Sequence, residues 1–148
     1  MQPKDSTGEV RIRESFAKQG LMQTLGARIV EVAPGAVTIE LPASPAVSQQ
    51  HGFVHAGAIA SIADSAAGYA ALTLMPPGAG VLTVEFKINL MSPAKGDTML
   101  ARGRVVKAGR TLTVAQTEVV AVTSGEEKTV ALLTATVMCL EGRHGVAD

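Results

Sequence analysis

The chain has 148 residues, no net formal charge, 47% hydrophobic and 18% charged residues, a composition that fits one globular domain and excludes a disordered protein. With no Trp, one Tyr and three Phe, the core must be built from Ala, Val, Leu and Ile. No basic stripe with interleaved aromatics marks a nucleic-acid binder, and the single Cys139 excludes an internal disulfide framework and fits a reducing, cytoplasmic compartment.

In chain order, residues 1–8 read as a disordered, polar N-terminus without the apolar core of a signal peptide. Residues 9–18 predict a short amphipathic helix with Gly20 near its end. Residues 26–32 and 36–41 predict strands joined at Ala33-Pro34-Gly35, and residues 42–54 a loop. A long helix is expected over residues 55–74, stopped by Pro76-Pro77-Gly78. Four strand-like runs follow, over residues 81–91, 98–107, 111–123 and 128–140, separated by Gly-, Ser- and Pro-containing turns. Residues 141–148 read as a flexible tail, leaving a single domain over residues 9–140.

The run at residues 81–91 alternates most cleanly: Leu82, Val84, Phe86, Ile88 and Leu90 are expected on one face, and Thr83, Glu85, Lys87 and Asn89 on the other. Two strands, one long apolar helix and four antiparallel strands predict an α+β fold, with a sheet of five to six strands wrapped around the central helix.

Within that helix lies the chain's most telling residue. Between Glu40 and Glu85 the only Asp, Glu, Lys or Arg is Asp64, set in an Ala-rich run. Burying a carboxylate is costly unless it is paired or hydrogen-bonded. A membrane span is excluded on cost, because an Asp at mid-membrane opposes insertion by about 2.5–3.5 kcal/mol, more than this weakly hydrophobic run offsets. His51 and His55 have the i,i+4 spacing of a zinc pair, but Gly52 stands where a metalloprotease carries Glu, so no metal site is assigned. Gly68 is read as a glycine that permits close packing, and Cys139 as a core residue.

The segment His55-Ala-Gly-Ala-Ile-Ala-Ser-Ile-Ala-Asp64 resembles the His-Gly-Gly-x6-Asp signature of hotdog-fold acyl-CoA thioesterases of the phenylacetate-degradation type. The resemblance extends to Leu82-Thr-Val-Glu-Phe-Lys-Ile-Asn-Leu-Met-Ser-Pro-Ala94 and to Val105-Val-Lys-Ala-Gly-Arg-Thr-Leu112, and covers residues 26–140. It implies hydrolysis of an aryl- or medium-chain acyl-CoA without a cofactor, Asp64 serving as general base or nucleophile. Ala56 departs from the family's first glycine, so either Ala56 or Gly57 must supply the amide for the oxyanion. By position, Gln49 matches a residue that holds the thioester or the attacking water, and Thr83 one that positions the water beside the carboxylate, while His55 is expected to orient the loop or contact the thioester. Lys107, Gly109 and Arg110 match a turn near the coenzyme A nucleotide, and Arg102 and Arg104 share one face of the preceding strand.

Helix geometry adds a constraint. Gly57 and Asp64 are seven residues apart, about 10 Å along a helix, too far for one carbonyl group to meet both. If both act on one thioester they belong to different subunits, which predicts a homodimer, further paired into a homotetramer as the family builds them. The alternative is a non-catalytic acyl-CoA-binding protein of the same fold.

Overall fold

The computed structural model describes residues 8–148. Residues 1–7 of the expected disordered N-terminus lie outside the described residues, and Gly8 opens a helix. The elements are α1 (Gly8–Ala17), α2 (Gly20–Leu25), β1 (Arg28–Ala33), β2 (Ala36–Pro42), a 3-10 turn (Pro45–Val47), α3 (Ala56–Leu72), β3 (Gly80–Leu90), β4 (Thr98–Ala108), β5 (Leu112–Thr123) and β6 (Glu126–Leu140). All six strands form one antiparallel sheet in the order β1-β2-β4-β5-β6-β3. The central helix α3 lies against β2, β4, β5, β6 and β3. This is the α+β hotdog arrangement, with six strands around one helix.

Why α3 is made of alanine is visible in its contact with β4. A Cβ built on Gly103, in the middle of β4, would stand 2.4 Å from the Ala66 carbonyl oxygen. Helix and sheet backbones therefore touch, and only small side chains fit between them. Ala63, Ala66, Ala67 and Ala70 are fully buried there, and the Thr117 hydroxyl donates to the Ala63 carbonyl at 2.8 Å.

The helix is closed at its far end by an arginine. Arg11, buried on α1, donates to the carbonyls of Leu72 (2.8 Å), Met75 (3.1 Å) and Pro76 (2.7 Å). Its positive charge stands where the helix leaves carbonyls unpaired and its dipole is negative. The sequence reading missed α2, whose six residues are too few to show a period.

Two further differences bear on function. The tail over residues 141–148, expected to be flexible, folds back: Asp148 accepts from the Ser15 hydroxyl (2.8 Å) and the Val81 N–H (3.1 Å). And β3 is not regular. Its register to β6 shifts between Thr83 and Glu85, with Thr83 opposite Val137 and Glu85 opposite Thr136.

That shift leaves Val84 as an unpaired bulge residue and reverses the facing of everything before it. Thr83 now shares a face with Val137, as Phe86 does with Ala135 and Ile88 with Leu133, and these β6 residues are fully buried. Strict alternation placed Thr83 with Glu85 and Lys87, away from the helix, and Leu82 with Phe86. The bulge exchanges Thr83 and Leu82 and turns the threonine toward α3.

Candidate active site

Asp64 sits midway along α3, half-buried, and the Thr83 hydroxyl donates to its Oδ1 at 2.7 Å. Burial raises the Asp64 carboxyl above its ordinary value, and the hydrogen bond from Thr83, the smaller influence, pulls it back down. Both residues line a cavity of about 270 Å³ with Gly68, Tyr69 and Leu82. Oδ2 has no hydrogen-bond partner among the described residues. A carboxylate in this state is a stronger base than one in water, held by one oxygen and free at the other.

The second group of residues gathers at the start of α3. His55 is the N-cap, and its Nδ1 accepts from the Gly57 N–H at 2.7 Å. An accepting Nδ1 puts the proton of the neutral ring on Nε2, leaving Nε2–H as a donor. The N–H groups of Ala58 and Ile59 donate to the His55 carbonyl. Of the first-turn donors only the Ala56 N–H lacks a partner among the described residues.

The two candidates for the oxyanion amide are thereby distinguished. Gly57 has its N–H engaged inside the protomer, whereas Ala56 holds its N–H free at the positive end of the helix. Glycine at 57 has a different reason, since a Cβ there would lie 3.0 Å from His55 Nδ1 and press on the capping ring.

Gln49 completes this group. Its Oε1 accepts from the N–H groups of His51 (2.6 Å) and Phe53 (3.1 Å), which fixes the side-chain amide and leaves Nε2 as the outward donor. Gln49, His55 and Ala56 line a cavity of about 470 Å³ with Ile59, Leu90 and Met91. Within one protomer, then, the carboxylate and the free amide serve different cavities. Ala56 and Asp64 are eight residues apart, about 12 Å along the helix.

The residues expected near a nucleotide line neither of these two cavities. Lys107 lies within β4 rather than in the turn, and is exposed. Gly109 and Arg110 border a separate cavity of about 380 Å³ with Ala71, Met75 and Cys139, toward the C-terminal end of α3. Arg102 is paired with Glu127 (2.8 Å), and Arg104 donates to Gln116 Oε1 (2.7 Å). Cys139 is half-buried rather than a full core residue.

Sequence reasoning missed the polar chain behind Asp64. Ser65 donates to Gln19 Oε1 (3.3 Å), Gln19 Nε2 to the Tyr69 hydroxyl (3.0 Å), and that hydroxyl meets Ser15 Oγ (3.1 Å). Ser65 and Tyr69 are one turn apart on α3, a signal available in the spacing, but the α1–α2 residues that join them were not.

A family model described as thioesterase superfamily matches residues 51–128, which span the start of α3, Asp64 and Thr83. The chain is similar to a thioesterase family protein from Silicibacter pomeroyi whose crystal structure is known, with 50% identity and a TM-score of 0.89, covering 91% of this chain and 99% of that one. It is similar in fold to the E. coli PaaI protein from the phenylacetic acid degradation operon, at 22% identity and a TM-score of 0.82 over 97% of this chain and 98% of that one. A 1,4-dihydroxy-2-naphthoyl-CoA hydrolase of Listeria monocytogenes is 26% identical over 95 residues, 64% of this chain and 77% of that protein. Among the described residues, no helix is long and apolar enough to cross a membrane.

Proposed function

Since the chain belongs to the thioesterase superfamily and is a thioester hydrolase, we propose that its substrate is an aryl- or medium-chain acyl-CoA, cleaved to the free acid and coenzyme A by Asp64 at a site shared between two subunits. The observation that carries this reading is the separation on α3 of a basic carboxylate from a free helix-start amide, each lining its own cavity.

In the proposed reaction Asp64, held at Oδ1 by Thr83, takes a proton from water through Oδ2 as the water oxygen bonds to the thioester carbon. The charge that develops on the carbonyl oxygen is received by the N–H of the partner subunit's Ala56, at the positive end of that helix. As the tetrahedral intermediate collapses the C–S bond breaks, and the proton on Asp64 passes to the leaving thiolate. The Gln49 Nε2 and His55 Nε2–H donors flank the Ala56 amide and orient the thioester. Burial raises the carboxyl's basicity, which suits Asp64 to taking a proton from water.

Association is supported by β3. It is an edge strand, and Leu82, Val84, Phe86, Leu90 and the following Met91 are 43–55% exposed. A row of apolar side chains on an open edge invites a second copy. A twofold contact then brings each carboxylate to the other subunit's amide, and two dimers pair into a tetramer.

The test is thiol release from a panel of acyl-CoA thioesters by the wild type and Asp64→Ala. Turnover is expected to fall by about three orders of magnitude or more, with the oligomer intact. Undiminished turnover, or tight acyl-CoA binding by the wild type without thiol release, would reject the mechanism.

A further inference from the structure

We propose that Gly68 sets the size of acyl group accepted, its missing side chain being the space beside Asp64 that the acyl moiety fills. The inference rests on the catalytic reading of Asp64. Gly68 follows Asp64 by four residues, so the two share one face of α3, and both line the cavity of about 270 Å³.

Glycine in a helix interior is unfavourable against alanine, so a reason is needed for it here. The fold supplies none. Gly68 is buried, yet a Cβ built on it would meet no atom within 4 Å beyond its chain neighbours and its own helix backbone. The expectation that it permits close packing is thus not met; between α3 and β4 it is Gly103 that lets the backbones approach. Around position 68 the helix takes Ala at 66, 67, 70 and 71 with almost no exposure. The open space is lined by Asp64 and Tyr69, beside the carboxylate at which the thioester carbon is proposed to react.

Volume and polarity narrow what fits. A dry cavity of about 150 Å³ admits a benzene ring, so the space beside Asp64 takes an aryl group with a short linker or a medium alkyl chain. Leu82 supplies an apolar wall. Its other polar lining, Gln19, Ser65, Tyr69 and Asp148, is bonded within the protomer: Ser65 to Gln19, Gln19 to Tyr69, Tyr69 to Ser15, and Asp148 to Ser15 and the Val81 N–H. None requires a partner from the substrate. Discrimination therefore rests on bulk, which residue 68 controls.

Gly68→Ala and Gly68→Leu are compared with the wild type and Asp64→Ala on octanoyl-CoA, benzoyl-CoA and the shortest acyl-CoA that the wild type turns over. Light scattering of each variant accompanies the assays. The ratio of kcat/KM for the bulky substrates over the short one is expected to fall about tenfold in Gly68→Ala and further in Gly68→Leu, as each added carbon competes with the acyl group. Molar mass is expected to stay constant. Equal losses on every substrate together with a changed mass would mean that a second protomer fills the space, and would overturn the proposal. So would an unchanged ratio in Gly68→Ala, the variant least able to disturb folding. If Asp64→Ala keeps its turnover, it is the catalytic reading that fails, and the assay separates the two.

Discussion

The Thr83 hydroxyl reaches Asp64 Oδ1 at 2.7 Å only because Val84 bulges out of the β3–β6 ladder. An unbulged strand that kept Phe86 and Ile88 against the helix would turn Thr83 outward. The bulge therefore re-aims one hydroxyl onto the carboxylate, at the expense of one ladder position.

Removing that hydroxyl should be read in the pH profile. The Thr83 hydrogen bond favours the charged carboxylate, opposing the larger effect of burial. In Thr83→Val the opposition is gone and the carboxyl rises further. The acid limb of kcat/KM, set by ionisation of Asp64, is expected to move to higher pH than in the wild type. A limb that stays in place would show that the bond does not tune the base.

Asp64→Asn separates activity from stability. A carboxyl raised in the folded state binds its proton more tightly there than in the unfolded chain. Its contribution to stability is full below the ordinary Asp value and is lost as pH rises through the raised one. At neutral pH the ionised group is thus a burden, and the neutral Asn should raise the denaturation midpoint while abolishing turnover. Measured at pH 3, where Asp64 is protonated in both states, the gain should vanish.

Ala56→Pro isolates the amide. Proline at the first helical position fits the backbone, and the extended His55 preceding it (φ −62°, ψ 140°) is compatible. The substitution deletes the N–H and little else, so kcat should fall about 10²–10³-fold with an unchanged circular dichroism spectrum. Gly57→Ala acts differently, by pressing on the His55 cap, and should lower helix stability as well as rate.

A shared site predicts complementation. Asp64→Ala and Ala56→Pro oligomers should each be nearly inactive. After mixing through an unfolding and refolding cycle, mixed dimers carry one site with both groups intact, and about a quarter of wild-type activity should return. If no activity returns although mixed dimers form, the two groups do not meet across subunits.

Gly103→Ala tests the packing beneath the site. A methyl 2.4 Å from the Ala66 carbonyl oxygen must push α3 from the sheet. The expected cost is about 2–3 kcal/mol, seen in urea denaturation, with loss of activity from the displaced Asp64.

Much of this protein was legible in one dimension. Pro76-Pro77-Gly78, the Ala-rich run and the four alternating segments gave the element order, because turn chemistry and periodicity depend on residues close in sequence. The isolation of Asp64 among apolar residues singled it out for the same reason. What the sequence did not decide depends on partners far along the chain. Whether Thr83 faces the helix depends on its pairing with Val137, 54 residues away. Which amide stays free depends on where the His55 ring turns, and whether Gly68 is packed or open depends on what β3 and the tail leave uncovered. A one-residue slip in a ladder, or one side chain bonded to a backbone N–H, costs too little to mark composition or period. Such differences are fixed only when the sheet closes around the helix.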